Sequence, residues 1–256
     1  MRGQRVILPL IVAAVFLMGW HFLVKWTHSH IFPTPWQVVM GLEELARQGV
    51  LIKYIVASLF RVTWGFLLAI IIGVPSGLLL GWYAPAAAAF NPMIQIFRPI
   101  SPIAWIPVAI LWFGVSNVAP IFLIFLASVF PITVSSMAAV QNMQPVYVRA
   151  ARNFGLNNMQ LFRKVIFPAC LPQILTGLRI ALGIAWLVVV AAEMIAVNNS
   201  GLGYLIIDAR NAGKRYDLVV AGMLMIGVIG LLLDIAVRSL EKFDEVRWGY
   251  ANKDDS

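Results

Sequence analysis

Charge is scarce in this chain. Of its 256 residues only 12% are Asp, Glu, Lys or Arg and 61% are hydrophobic, whereas a soluble domain is about one quarter charged. That shortage excludes an ordinary water-facing globule. Cysteine is nearly missing as well: Cys170 stands alone, so there is no intrachain disulfide and no thiol pair for redox work. His21, His28 and His30 are the only histidines, and with no carboxylate or thiolate beside them they do not make a zinc set. No Ser, His, Asp arrangement and no H-E-x-x-H motif occurs, which argues against hydrolase or metalloprotease chemistry. Gly213 and Lys214 lack both the glycine five residues earlier and the Ser or Thr that would complete a phosphate-cradling loop. If ATP drives this protein, another subunit binds it.

What the chain has in abundance is oil. Its mean hydropathy is +0.86, and about 20 apolar residues cross a bilayer, so the length divides into about six transmembrane helices. The expected spans are 6–24, 61–82, 90–113, 118–140, 173–197 and 218–240, in an all-α integral membrane protein with a single transmembrane domain over 1–256. The basic start and apolar run of 1–24 are those of a signal peptide, but the run is long and lacks a small-x-small cleavage site, so it reads as a retained first span. Net charge is +8, yet the basic residues form no aromatic-interleaved platform for nucleic acid. They follow topology instead. Arg2, Arg5, Arg149, Arg152, Arg163, Lys164, Arg238, Lys242, Arg247 and Lys253 fall on one side, which the positive-inside rule makes cytoplasmic together with both termini. Residues 36–49 have helical spacing and suit a helix lying along the outer interface.

Two spans carry unusual residues. Gly65, Ala69, Gly73, Gly77 and Gly81 recur every four positions, lining one helix face with small side chains that permit close helix contact. Packing within the chain is the favoured use of that face, and a dimer seam is the alternative. In 90–113, Pro99, Pro102 and Pro107 predict a broken helix whose freed carbonyls face protein or a cavity. Arg98 beside that break is the first candidate for attracting an anion, and Ser101, Trp105 and Glu193 complete the candidate pathway. For Glu193 a structural hydrogen bond competes with that role, because a carboxylate repels anions. Asp234 and Arg238, four apart, are expected to pair.

The basic stretch 144–172 interrupts the oil. Pro145 suits the first turn of a helix, Gly155 a left-handed cap, Asn157 or Asn158 the start of a second helix, and Pro168 is expected to end that helix. Small Ala150 and Ala151 between Arg149 and Arg152 allow another protein to approach the backbone closely.

This stretch resembles the cytoplasmic coupling loop of ABC importer permeases, whose pattern is E-A-A, three residues, Gly, nine residues, then I-x-L-P. Ala150, Ala151, Gly155 and Pro168 fall on it in register, while Arg149 replaces Glu, Val165 replaces Ile and Phe167 replaces Leu. Ser58, Arg61 and Gly65 match the S-L-x-R-V-x-x-G-F string, and residues 98–114 match the proline-rich run, of the nitrate, sulfonate, taurine and bicarbonate branch. The resemblance implies a type I importer permease in a bacterial inner (plasma) membrane, coupled through Arg149, Ala150, Ala151, Arg152, Gly155 and Pro168. It further implies a homodimer, or a pair with a close paralogue, two ATP-binding subunits that hold ATP and Mg, and an external substrate-binding protein. An ion-gradient-driven transporter or channel is the alternative, and would require buried acid pairs or inverted repeats.

Overall fold

The computed structural model describes residues 4–27, 31–197 and 199–240. His28, His30, Asn198, Arg2, Lys242, Arg247 and Lys253 lie outside them. Within the described residues the chain is all α, with no strand. Its helices are α1 (Gln4–Thr27), α2 (Pro35–Arg47), α3 (Val50–Trp82), α4 (Ala84–Phe97), α5 (Ile106–Phe113), α6 (Val118–Gln141), α7 (Pro145–Asn153), α8 (Asn158–Leu161), α9 (Phe167–Ile195), α10 (Leu202–Asn211) and α11 (Tyr216–Leu240). A 3-10 turn, Pro102–Trp105, precedes α5. A π-turn, Phe162–Ile166, joins α8 to α9.

Four helical rods are long and apolar enough to cross a membrane: α3, α6, the joined α8–α9 rod and α11. Helix α4 and the 102–113 segment, bent by 80°, are long and apolar enough only together, as a broken span or a re-entrant loop. The apolar run of α1, Ile11–Thr27, is shorter than these, so the described residues hold four or five candidate spans where six were expected. The bend has a local cause, since Pro99 and Pro102 each remove a donor and bias the residue before them toward extended backbone.

The core is α3 against α6, with α9 on the other side of α6. Close contact comes from the small-residue ridge of α3, which faces α6 and so packs within the chain. A Cβ on Gly65 would lie 2.7 Å from the Ile124 Cβ, and one on Gly73 2.9 Å from Ile132 Cγ2. A Cβ on Gly77 would stand 2.6 Å from that of Ser136, and one on Gly81 2.7 Å from the Met137 carbonyl. Across the other face of α6, the Ser135 hydroxyl donates to the Gln173 carbonyl of α9 at 3.2 Å. Without a hydrophobic force between helices in lipid, such near-backbone approach is what holds them together.

Two expectations need correction, and a third, the Asp234–Arg238 pair, is met beside a closer partner. The helix of the second span starts at Val50 and not at 61, because 50–60 is apolar apart from Lys53 and Ser58, so Arg61 lies eleven residues inside the helix. Pro168 does not end a helix. The Phe167 N–H donates to the Phe162 carbonyl five residues back, and this π-turn resets the ladder so that Pro168 enters α9 in its first turn, where no donor is needed. Asp234 pairs first with Arg179, at 2.6 Å, while Arg238 stands at 3.6 Å.

Gly77→Ala should destabilise the folded protein by about 1–3 kcal/mol through overpacking, whereas Gly183→Ala, where a Cβ meets nothing within 4 Å, should be neutral. Thermal unfolding followed by size-exclusion in detergent checks the pair, and equal melting of the two variants would contradict the packing described.

Candidate functional site: a polar lock and an exposed platform at opposite ends

The α3–α6–α9 core carries different chemistry at its two ends. At the end where α3 begins and α9 finishes, Arg61 and Glu193 are buried to 1% and 0% exposure. Arg61 Nη1 donates to Glu193 Oε1 at 2.6 Å and to the Ser200 carbonyl at 3.0 Å. Its Nη2 donates to Ser200 Oγ and to Asn117 Oδ1, both at 2.7 Å, and its Nε donates to Asn117 Oδ1 at 3.0 Å. These bonds use all five guanidinium donors. Glu193 Oε2 accepts from Ser58 Oγ at 2.8 Å and from the Gly203 N–H at 3.0 Å, and Ser58 Oγ accepts from the Leu202 N–H at 2.9 Å.

The cluster therefore ties four pieces together: α3, the turn before α6, the end of α9 and the first turn of α10. Gly201, at φ +114°, lies so close that a Cβ there would meet both Glu193 and Arg61. Glu193 is thus a sealed structural anion, placed away from the walls of the cavities around Arg98. The sequence signal for this pair was a charge of each sign inside an apolar run. It was missed because Arg61 was placed at the edge of its span.

Beyond this cluster α2 begins with a capping box between Thr34 and Gln37. Arg215 Nη2 reaches Glu44 Oε2 at 2.6 Å and Asp217 Oδ2 at 2.8 Å, stapling α2 to the α10–α11 turn. The Arg215 guanidinium holds the Glu44 carboxyl below the usual carboxylate range.

At the other end sits α7. It is anchored from beneath by Ala151, with Val148 and Leu156 against the cluster of Leu78, Val140, Leu161 and Cys170. A Schellman turn closes it: the Gly155 N–H donates to the Arg152 carbonyl at 2.9 Å and the Leu156 N–H to the Ala151 carbonyl at 3.2 Å. Gly155 takes φ +74° with open space around it, so the turn needs glycine for backbone conformation and not for tight packing within this chain. Arg149, Ala150 and Arg152 are exposed beside Phe154, which is 85% exposed. Phe154 was not singled out from sequence, since an aromatic next to a glycine cap carries no signal of which way it points. Pro168 lies behind this platform, partly buried.

Between the two ends, Arg98 follows α4 and lines two cavities, of about 210 and 500 Å³. Trp105 lines the smaller; Ser101 is exposed and lines neither.

Residues 65–243 match the family model described as binding-protein-dependent transport system inner membrane component. The chain belongs to that family. It is 34% identical to the taurine transport system permease protein of Escherichia coli K12, over 90% of this chain and 86% of that one. It is also 34% identical to the nitrate import permease protein of a Synechocystis strain, over 93% of this chain and 89% of the relative. Its fold matches a chain of a methionine ABC transporter solved in inward-facing conformations, at 19% identity and a TM-score of 0.66, over 75% of this chain and 94% of that one. The protein is a permease with the ABC importer permease fold.

Arg61→Ala should cost about 3–5 kcal/mol by leaving a buried carboxylate unpaired, and Arg61→Met with Glu193→Leu together should cost less than the single change. Thermal unfolding of the three forms tests the pair, and a double variant worse than Arg61→Ala would contradict it. For the α2 staple, the depressed carboxyl means that its contribution is intact above the ordinary carboxylate value and is lost as pH falls through the lower folded value. A spin-label distance between positions 40 and 212 should stay fixed from pH 8 to 6 and lengthen only under acid; a change near neutrality would remove Glu44 as the cause.

Proposed function

We propose that this chain is the transmembrane permease subunit of an ATP-driven importer for a small anion such as nitrate, taurine or another alkanesulfonate, or bicarbonate, working by alternating access. The observation that carries the proposal is α7: a short helix fixed from below by apolar contacts, capped rigidly, and presenting Arg149, Ala150, Arg152 and Phe154 to whatever lies outside. Exposed Arg and aromatic side chains on a rigid support have the composition of an interface anchor. In this reading ATP-binding subunits carrying ATP and Mg dock on that platform, Arg149 to Gly155 receive their closure, and the rod from Asn158 through α9 carries the motion into the spans. The different affinities of two conformations for ATP supply the bias.

The orientation follows from the same assignment. The end with α7 and both termini is cytoplasmic, and the end with α2, α10 and the Arg215 staple faces an external binding protein. Two permeases, identical or close paralogues, complete the pathway in a bacterial inner membrane. Arg98, with Trp105 beside it and Ser101 nearby, belongs to that pathway, while Glu193 holds its outer end in shape. Catalysis of ATP hydrolysis belongs to the partner subunits.

Phe154→Ala should weaken binding of the copurifying ATPase tenfold or more, while Gly155→Val, strained at positive φ, should retain binding yet lower transport-coupled ATP hydrolysis. Pull-down and ATPase assays in proteoliposomes measure both. Unchanged coupling in both variants, or uptake by the permease alone without ATP, would refute the proposal.

A further inference from the structure

The two ends of the molecule differ in sign. No Asp or Glu occurs between Glu44 and Glu193. Of the described acids, Glu43, Glu44, Glu193, Asp208 and Asp217 belong to α2, the end of α9, α10 and the start of α11, all toward the end that holds the polar lock. Asp234 is taken by Arg179 at 2.6 Å. The α7 end therefore carries bases without acids. Arg149, Arg152, Arg163 and Lys164 are exposed, and among the described residues none of them makes an ion pair or a side-chain hydrogen bond. Helix α7 and the π-turn rest on one apolar cluster, Ala151 with Leu161 and Ile166, which gathers the four bases at this end beside the exposed Phe154.

The missing acids come in the sequence after α11. Five of the chain's 11, Glu241, Asp244, Glu245, Asp254 and Asp255, fall in 241–256, against Lys242, Arg247 and Lys253. Phe243, Trp248 and Tyr250 lie among them. Helix α11 delivers this segment to the basic end. It runs antiparallel to α9: the Trp186 indole N–H donates to the Ile226 carbonyl at 3.0 Å, and further along Arg179 meets Asp234. Six more residues carry α11 to Leu240, about 9 Å further toward Phe167 and the π-turn at 1.5 Å per residue. From there the last 16 residues span at most about 50 Å, several times the length of the nine-residue α7.

We propose that the acidic segment 241–256 docks on the basic face formed by Arg149, Arg152, Arg163 and Lys164, and so competes with an ATP-binding subunit for the platform. The competition rests on the permease reading above and adds a restraint built into the chain. Single exposed ion pairs are weak and are screened by salt, so a free peptide of this composition binds poorly. Tethering changes the balance. A short linker holds its cargo at an effective concentration of about 1 mM, so a contact with a Kd of about 0.1 mM leaves roughly one platform in ten open.

The test uses the full chain in nanodiscs of phosphatidylcholine, with spin labels at Asn153→Cys and Ala251→Cys; Cys170 is buried. Without an ATPase, the label distance should be short at low salt and lengthen at about 1 M NaCl, where the screening length is about 3 Å. Asp244→Asn, Glu245→Gln, Asp254→Asn and Asp255→Asn together should lengthen it at low salt. Arg149→Glu with Arg152→Glu should do the same, and adding Asp244→Lys with Glu245→Lys should shorten it again. The neutralised segment should also raise the affinity of the copurifying ATPase about fivefold or more at low salt. A distance that ignores salt and every charge change would overturn the docking, and docking that leaves ATPase affinity unchanged would overturn the competition. A distance that is long in phosphatidylcholine, with the label at 153 responding to added phosphatidylglycerol, would assign the bases to lipid headgroups and overturn the proposal. If no form binds an ATPase while the distance still follows charge, the docking stands and the coupling assignment falls, taking the competition with it.

Discussion

Arg61 brings a full set of donors into a place without water, and every donor must be met. Glu193, Asn117 and Ser200 meet them, and in doing so fix where α6 starts, where α9 stops and where α10 turns back. Removing one partner of a buried ion pair leaves a charge that the interior cannot solvate, so the pieces are held as a unit. The pair's contribution to net stability is modest for the same reason: desolvation offsets most of the attraction. Its consequence is geometric. Two glycines are required beside it: at Gly201 the carboxylate and guanidinium already occupy the space a side chain would need, and at Gly203 the Val190 carbonyl and the Glu193 Cβ do.

From that fixed end the core runs down through a seam with almost no side-chain thickness on the α3 side. Glycine and alanine every fourth residue bring the α3 backbone against Ile124, Ile132 and Ser136 of α6. Such a seam leaves little room for sliding or shear, so α3 and α6 move together. The α9 rod is attached differently: Ser135 touches the Gln173 carbonyl, Arg179 links to Asp234 on α11, and a π-turn lies where the rod leaves the platform. A π-turn interrupts the regular α ladder, and this one lies between α7 and the spans.

Much of this was legible from residues alone, and the reason is that membranes simplify the physics. Apolar runs near the length of a bilayer become helices because no other backbone structure satisfies itself in lipid, so the all-α class and the breaks at Pro99 and Pro102 followed directly, whereas six spans were expected and the described residues hold four long apolar rods and one bent pair. The Gly155 cap and the Pro145 helix start were legible for a local reason, since both depend on φ at a single residue. The boundary at Val50 was not legible, because apolar residues preceding a span look the same whether they extend it or lie on the surface. Nor was the passage of the helix through Pro168, where a π-turn upstream cancels an effect that proline has in an unperturbed ladder.

The amino-acid order by itself determined the class of protein, the small-residue face and the basic platform, because each depends on hydrophobicity, size or charge summed over neighbours in sequence. Tertiary structure alone decided which charges met. Arg61 finds Glu193 across 132 residues of chain, Arg179 takes Asp234, and Arg98 faces an apolar cavity with no counter-ion among the described residues. Pairing over such separations depends on how rods are rotated and stacked, and a one-dimensional pattern carries no angle between helices.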